Sequence, residues 1–234
     1  MKTLFVHARS TLQIDLPMEE IGKLPRPIGV ATNIQYLHRI QEIVDSVGGV
    51  KAGQVLGCHT EPAKGISNQV GCFLFIGSGK FHPLGIALST GKPVYCFDPA
   101  TKEFSRISEE EIDRHQRRMR GGVLKFLTAN RVGLLVSTKS GQNLMKEALA
   151  FKKACTDKEV YIFVFETLDK NYLDNFTFIE SWVNTACPRI PETDNPGMVN
   201  LQEVIKSCPQ YGGKDYNPSP FLEKTLGPKS PSAP

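Results

Sequence analysis

The sequence has no long apolar run and no concentrated block of one charge. Nowhere do about 18 apolar residues follow one another, which excludes a membrane-spanning helix, and the start, MKTLFVHARS, is too short and too polar for a signal peptide. The 28 Lys and Arg residues are interspersed with 24 Asp and Glu residues, so no basic stripe typical of nucleic-acid-binding proteins is present. We therefore expect a soluble, cytoplasmic protein that contacts neither membrane nor nucleic acid directly.

Closely spaced cysteine motifs are also absent. No two cysteines have the CxxC spacing of a structural zinc finger, and a chain of 234 residues can bury enough apolar surface to fold without disulfides. Reduced thiols are therefore expected at all six positions, which are Cys58, Cys72, Cys96, Cys155, Cys187 and Cys208. The GxGxxG pattern of dinucleotide-binding proteins is missing too. A nucleotide-sugar or dinucleotide binder is therefore supported by a single Gly-Ser-Gly turn and ranks last among the alternatives.

Apolar segments of strand length alternate with segments of helical periodicity along most of the chain. Buried parallel strands form continuous apolar runs, and the strands predicted on this basis cover residues 4–8, 28–32, 53–57, 72–79, 93–98, 132–138, 160–166 and 178–187. The predicted helices cover residues 33–49, 83–89, 108–127, 141–154 and 168–176. This alternation predicts the α/β class, with two lobes that each contain a small parallel sheet flanked by helices.

Sequence signals also set the expected boundaries of these lobes. Ser108 and Glu111 have the spacing of a capping box, so a long helix is expected to start there and to bridge the lobes. We predict one α/β domain over 26–128, which carries Cys58, and another over 129–208, which carries Cys187. Residues 209–234 contain six of the 16 prolines and no periodicity, so they are predicted to form a disordered tail.

Two loops between a strand and a helix are candidate binding sites. Ligands of open α/β sheets bind beyond the carboxyl ends of the strands, where helix N-termini offer free N–H groups. A phosphate or an amino-acid carboxylate fits such a loop, and a lysine adds a complementary charge. The alternative is an ordinary turn that needs glycine for steric reasons, with solvated side chains. The candidate residues are Gly77, Ser78, Gly79 and His82 in the first loop and Lys139, Gly141 and Gln142 in the second.

Two of the six cysteines stand just past predicted strands. Cys58 follows a glycine at a strand end, and Cys187 is followed by Pro188, which ends the pairing of its strand. Thiols so far apart in the sequence suit an iron-sulfur cluster held between lobes better than a zinc finger. The other four cysteines lie in apolar strands or at helix ends and are interpreted as small core residues.

Four motifs occur in order along the chain: GQVLGC at 53–58, FLFIGSGKFHPLGIALSTGKPVYCFDP at 73–99, VSTKSGQ at 136–142 and VNTACPR at 183–189. Together they resemble the diphthamide-synthesis enzymes, the 2-(3-amino-3-carboxypropyl)histidine synthases of archaea and eukaryotes. The resemblance extends from about residue 4 to about residue 190. It implies three similar α/β domains around a 4Fe-4S cluster, with one cysteine contributed by each domain.

The resemblance also implies a reaction and its cofactors. Family members use the cluster to reduce S-adenosylmethionine, and the resulting 3-amino-3-carboxypropyl radical adds to a histidine of translation elongation factor 2, the first step of diphthamide formation. By this resemblance Cys58 matches the ligand of the middle domain and Cys187 that of the last domain. The two candidate loops would hold the polar groups of S-adenosylmethionine, and no residue is assigned a catalytic role.

The chain departs from the family pattern in three places. The first domain with its cysteine has no counterpart, so residues 1–25 are interpreted as a remnant of a preceding α/β domain. Tyr36 stands where a histidine is common, and PRIPETD follows Cys187 in place of a more apolar continuation. Two hypotheses remain: a transferase that works as a homodimer or heterodimer with a related subunit and an electron donor protein, or a non-catalytic partner that binds the elongation factor or a complete synthase subunit.

Overall fold

The structure, a computed structural model, describes residues 6–192 and 197–212. The helices are α1 (Met18–Gly22), α2 (Ile40–Val47), α3 (Glu61–Ile66), α4 (Phe81–Thr90), α5 (Glu109–Thr128), α6 (Met145–Ala154) and α7 (Leu201–Ser207). The strands are β1 (Ile28–Thr32), β2 (Val50–Gln54), β3 (Cys72–Ile76), β4 (Val94–Asp98), β5 (Glu103–Arg106), β6 (Arg131–Ser137), β7 (Glu159–Phe165), β8 (Ser181–Asn184) and β9 (Met198–Asn200). The described residues divide into two compact units, unit 1 up to Ile112 and unit 2 from Asp113 onward.

Unit 1 contains a five-stranded sheet in the order β2-β1-β3-β4-β5. The first four strands are parallel, as predicted, and β5 adds an antiparallel edge that was not predicted. Every residue of β1 and β3 is buried, because helices cover both faces of the sheet. Val30 and Leu74 pack beneath α2 on one face, while Phe73 and Phe75 pack with Ile86 of α4 on the other.

Unit 2 contains a parallel four-stranded sheet in the order β7-β6-β8-β9. The predicted strands over 132–138, 160–166 and 178–187 correspond to β6, β7 and β8. Strand β9 and helix α7 were not predicted, because three strand residues are too few to show a period. The predicted α/β class with two small parallel sheets is thus confirmed for the described residues.

Several element boundaries differ from the predictions. The strand expected over 53–57 lies three residues earlier, because β2 pairs in parallel with β1 through Gln54 and the chain then turns. The helix expected from residue 33 begins only at Ile40, after a turn in which the Asn33 side chain accepts the Gln35 N–H and a short 3-10 helix follows. Residues 6–8, the described part of the strand expected over 4–8, form no strand.

The C-terminal boundary also lies later than expected. The predicted tail begins at Pro209, but Pro209–Gly212 form a 3-10 helix in which Tyr211 is buried. The Tyr211 ring meets the Phe126 ring edge-on at 5.2 Å, and its hydroxyl donates to Asp157 at 2.9 Å. Burial and this hydrogen bond raise the pKa of Tyr211 to about 12. The rest of the predicted tail, 213–234, lies outside the described residues.

Helix α5 begins at the predicted capping box. The Ser108 N–H donates to Glu111 at 2.9 Å, and the Glu111 N–H donates back to the Ser108 hydroxyl at 3.2 Å. The helix then continues through Gly121 and Gly122 to Thr128 without a break. Among the described residues, no helix combines the length and apolarity needed to cross a membrane.

The two adjacent glycines of α5 provide a matched test of packing. A methyl group on Gly122 would lie 3.0 Å from Val199 Cβ and 3.1 Å from the Met198 carbonyl oxygen, whereas one on Gly121 would meet no described atom within 4 Å. We expect Gly121→Ala to raise the free energy of unfolding by about 0.5–1 kcal/mol, because alanine restricts the unfolded chain. We expect Gly122→Ala to lower the free energy of unfolding by about 1 kcal/mol, because the added methyl group would overpack the contact between α5 and β9.

Urea unfolding followed by the fluorescence of Trp182, which lies in the same unit, measures both variants. Equal stabilisation by the two alanines would contradict the close packing of α5 on β9.

Candidate functional site

Cys58 lies at the tip of a tight turn beyond the carboxyl end of β2. Leu56 and His59 exchange two backbone hydrogen bonds, with N–O distances of 3.0 and 2.9 Å, which leaves Gly57 and Cys58 between them at the tip. The Cys58 side chain is partly exposed and forms no disulfide. The glycine and the turn therefore present the thiol at the edge of the sheet where ligands of α/β proteins bind.

The first turn of α4 holds this loop in place. The Gly57 N–H donates to Nδ1 of His82 at 3.0 Å, so this ring nitrogen carries no proton. A methyl group on Gly57 would lie 2.5 Å from the Phe81 ring, and one on Gly85 would lie 2.7 Å from the Gly57 carbonyl oxygen. Glycine is therefore required at position 85, where the helix meets the backbone of the loop, whereas a side chain at position 57 would have to displace the Phe81 ring.

Cys187 lies in a loop beyond the carboxyl end of β8, and two buried asparagines hold this loop. Asn184 and Asn200 end the neighbouring strands β8 and β9 and pair in register. The Asn184 amide donates to the Cys187 carbonyl oxygen at 3.0 Å and to Oδ1 of Asn200 at 2.7 Å. The Asn200 amide donates to the Pro188 carbonyl oxygen at 3.0 Å. The Cys187 side chain is also partly exposed, without a disulfide.

The remaining four cysteines are buried. Burial, the largest cause in each case, raises the pKa of Cys72 to about 11 and those of Cys96 and Cys155 to about 12. These three thiols stay protonated at neutral pH and are poor metal ligands in this state. Cys58 and Cys187 are thus the two cysteines that are partly exposed.

The Gly-Ser-Gly turn follows β3 in unit 1. Its first glycine extends the sheet, since the Gly77 N–H donates to the Phe97 carbonyl oxygen at 3.0 Å, and a methyl group here would lie 2.7 Å from Nδ2 of Asn33. Gly79 has φ of +75°, a left-handed conformation that favours glycine. Ser78 and Gly79 are exposed. Backbone geometry therefore explains both glycines, and their predicted contact with a ligand stays a prediction.

The second candidate loop follows β6 in unit 2. Lys139 and Gly141 are exposed, and the Gln142 N–H donates to the Lys139 carbonyl oxygen at 3.0 Å to close a turn. Gly141 has φ of +78°, so glycine is needed for the turn itself. Helix α6 starts only at Met145, not at residue 141 as predicted. The Lys139 ammonium remains the group in this loop that fits a carboxylate or phosphate.

Sequence reasoning missed the residues that hold the cysteine loops. It treated His82 as a possible ligand contact, which stays a prediction, and did not foresee that Nδ1 of this ring accepts the Gly57 N–H. It assigned nothing to Asn184 or Asn200, although the repeated Val-Asn at the ends of two apolar segments is a visible signal. Within residues 6–192 and 197–212, no three His, Cys, Asp or Glu side chains gather as a metal site.

Comparison with known proteins decides the family. The sequence pattern of the diphthamide synthesis protein family matches residues 1–197. The chain belongs to this family.

The similarity extends to curated proteins and to a solved structure. The chain is 35% identical over 212 residues to the 2-(3-amino-3-carboxypropyl)histidine synthase of Pyrococcus horikoshii, covering 82% of this chain and 60% of that protein. It is 32% identical over 177 residues to the synthase of Methanocaldococcus jannaschii, covering 70% of this chain and 46% of that protein. The crystal structure of Dph2 from Pyrococcus horikoshii with a 4Fe-4S cluster matches with a TM-score of 0.69 at 32% identity, over 93% of this chain and 66% of that one.

The chain thus spans about half to 60% of the length of these two synthases. Each unit of this member of the family contributes one partly exposed thiol on an anchored loop, and thiolates are the usual ligands of iron-sulfur clusters. Each of these two thiols therefore has the chemistry of a cluster ligand, and their use as ligands stays a prediction.

The contact between His82 and the Cys58 loop can be tested by substitution. We expect His82→Ala to raise the alkylation rate of Cys58 by up to about tenfold, because the loop loses one hydrogen bond and opens more often. His82→Asn should keep the rate within about threefold of the parent, since its amide oxygen can accept from Gly57 where Nδ1 does now.

Mass spectrometry after timed exposure to iodoacetamide gives the rate, with Cys187 of the other unit as the internal reference. The anchoring role is wrong if alanine and asparagine at position 82 give the same Cys58 rate.

Proposed function

We propose that this chain forms part of a 2-(3-amino-3-carboxypropyl)histidine synthase, with Cys58 and Cys187 as two ligands of a 4Fe-4S cluster. The observation that carries the proposal is the contrast among the cysteines: four are buried, and the two that are partly exposed both lie on loops beyond parallel strands. The similarity to Dph2 with its 4Fe-4S cluster supports the same assignment. The proposed product is the first intermediate of diphthamide on a histidine of translation elongation factor 2.

A cluster held by these two thiolates would supply one electron for the cleavage of a C–S bond in the sulfonium of S-adenosylmethionine, which would separate the 3-amino-3-carboxypropyl radical from the remaining thioether. The protein's part is to bind the donor, orient it and exclude water. In this proposal the exposed ammonium of Lys139 pairs with the carboxylate of the donor, and Gln142 hydrogen-bonds beside it. The turn from Gly77 to Gly79 offers backbone to another polar group of the donor.

Other chains complete the assembly in this proposal. By the resemblance the cluster has three cysteine ligands, and in this proposal a further domain or subunit supplies the third. A homodimer or a heterodimer with a related subunit supplies it, and an electron donor protein reduces the cluster. The alternative is a non-catalytic partner that binds the elongation factor or a complete synthase subunit.

Anaerobic loading with iron and sulfide tests the cluster assignment. We expect the parent chain, alone or co-expressed with a separate first domain, to turn brown and to show the broad visible absorbance of an iron-sulfur cluster. Cys58→Ala and Cys187→Ala should each lose most of the bound iron, because a cluster that lacks one of its thiolate ligands dissociates from the protein more easily. Cys96→Ala serves as the control, since this buried thiol is expected to take no part.

Iron per chain and visible absorbance are the measurements, with thermal unfolding as a check that each variant folds. A colourless parent chain under both conditions would favour the non-catalytic partner. If iron retention is the same in all four proteins, Cys58 and Cys187 are not the ligands.

A further inference from the structure

Asn184 and Asn200 are almost completely buried polar side chains that hydrogen-bond to each other and to the backbone of one loop. Their exposed fractions are 1% and 7%. Because β8 and β9 are parallel and in register at this pair, the two side chains lie on the same face of the sheet. Burying an amide is costly unless its donors and acceptor find partners, so the partners show what the pair does.

The orientation of the Asn184 amide is fixed by three contacts. Its nitrogen donates both hydrogens, to the Cys187 and Asn200 oxygens, and its oxygen accepts the Ala186 N–H at 3.0 Å. If the amide were flipped, its oxygen would face the Cys187 carbonyl oxygen and Oδ1 of Asn200, and these oxygens are all acceptors. The network therefore admits only one orientation of Asn184. Asn200 continues the network, because its own nitrogen donates to the Pro188 carbonyl oxygen.

These contacts restrain the backbone on both sides of the Cys187 side chain. The two amides bind three consecutive backbone groups, namely the Ala186 N–H, the Cys187 carbonyl and the Pro188 carbonyl. The Cys187 carbonyl also accepts the Ile190 N–H at 3.0 Å, and Thr185 is fixed to the Leu135 carbonyl oxygen at 2.8 Å. The direction of the Cα–Cβ bond, and with it the region that the sulfur can reach, follows from these restraints.

We propose that Asn184 and Asn200 are positioning residues for Cys187, which hold its thiol in one direction before any ligand arrives. The inference rests on the proposed function only for the use of this thiol as an iron ligand. Preorganisation of this kind lowers the conformational entropy lost when a ligand is bound. Asn184 is the more important of the two, because it contacts Cys187 and Ala186 directly while Asn200 contacts Pro188.

The alkylation of Cys187 in the metal-free full chain tests the positioning directly. We expect Asn184→Ala to raise the alkylation rate of Cys187, relative to that of Cys58 in the same molecule, by roughly tenfold. This is the size of effect expected when the loop loses the restraint of one or two hydrogen bonds. Asn200→Ala should raise it by about threefold, because the contacts of Asn184 to Cys187 and Ala186 remain. Asn171→Ala, at an exposed position, is the matched control and should leave the ratio unchanged.

A pH–rate profile of the alkylation separates a changed thiol pKa from changed access, since only the latter alters the plateau. If Asn184→Ala does not fold, Asn184→Val replaces it: this variant suits a buried strand position and adds no charge, but loses all three amide contacts. It should raise the plateau as Asn184→Ala would. A purely structural role predicts that the Asn184 and Asn200 variants lose equal amounts of unfolding free energy, while the ratio of the Cys187 to the Cys58 alkylation rate stays within twofold of the parent. That result would overturn the proposal.

A second readout uses the chain loaded with iron and sulfide. We expect the electron paramagnetic resonance signal of the reduced cluster to shift in Asn184→Ala and to stay unchanged in Asn171→Ala, because only the former alters the direction of a ligand sulfur. An unshifted signal in Asn184→Ala would count against the positioning role. If the parent chain binds no iron, the proposed function fails, but the metal-free alkylation ratio still decides whether the asparagines position Cys187.

Discussion

The hydrogen bonds that hold two loops beyond the ends of parallel strands decide where the partly exposed thiols of this protein lie. In unit 1 the anchor is a histidine ring that accepts from Gly57, and in unit 2 it is the amide of Asn184. Each anchor comes from a sheet or a helix whose own position is set by a buried core. Loops that end strands carry few apolar contacts of their own, so without such anchors the cysteines would have no fixed direction.

The two units reach this arrangement by different chemistry. The Cys58 loop depends on close approach, because glycines at 57 and 85 allow the backbone to pack against the start of α4. The Cys187 loop depends on a buried polar network, in which two amides satisfy each other and three backbone groups. Close packing fixes a loop by excluding other positions, whereas the amide network fixes it by leaving any other position with unsatisfied polar groups.

The chain belongs to the diphthamide synthesis family and is similar to 2-(3-amino-3-carboxypropyl)histidine synthases. The burial of Cys72, Cys96 and Cys155, and the raised pKa that burial causes, separate them from the two loop cysteines. The glycines of the two candidate donor loops have a conformational reason at 79 and 141, which is independent of any ligand. Backbone requirement and binding are compatible, since a loop that needs glycine also lets a ligand approach its backbone.

The α/β class and most of the strands could be predicted from the sequence, and so could the burial of the four cysteines interpreted as core residues. Strands such as β1 and β3 are buried on both faces, so they are visible as continuous apolar runs, and the capping box of α5 is a local pattern. Strand β9 was too short to leave a period, and β2 was displaced because pairing with β1 sets its extent. The partners of His82, Asn184 and Asn200 were decided only by the tertiary structure, because the direction of a side chain depends on which strands become neighbours, and neighbours distant in sequence leave no local signal.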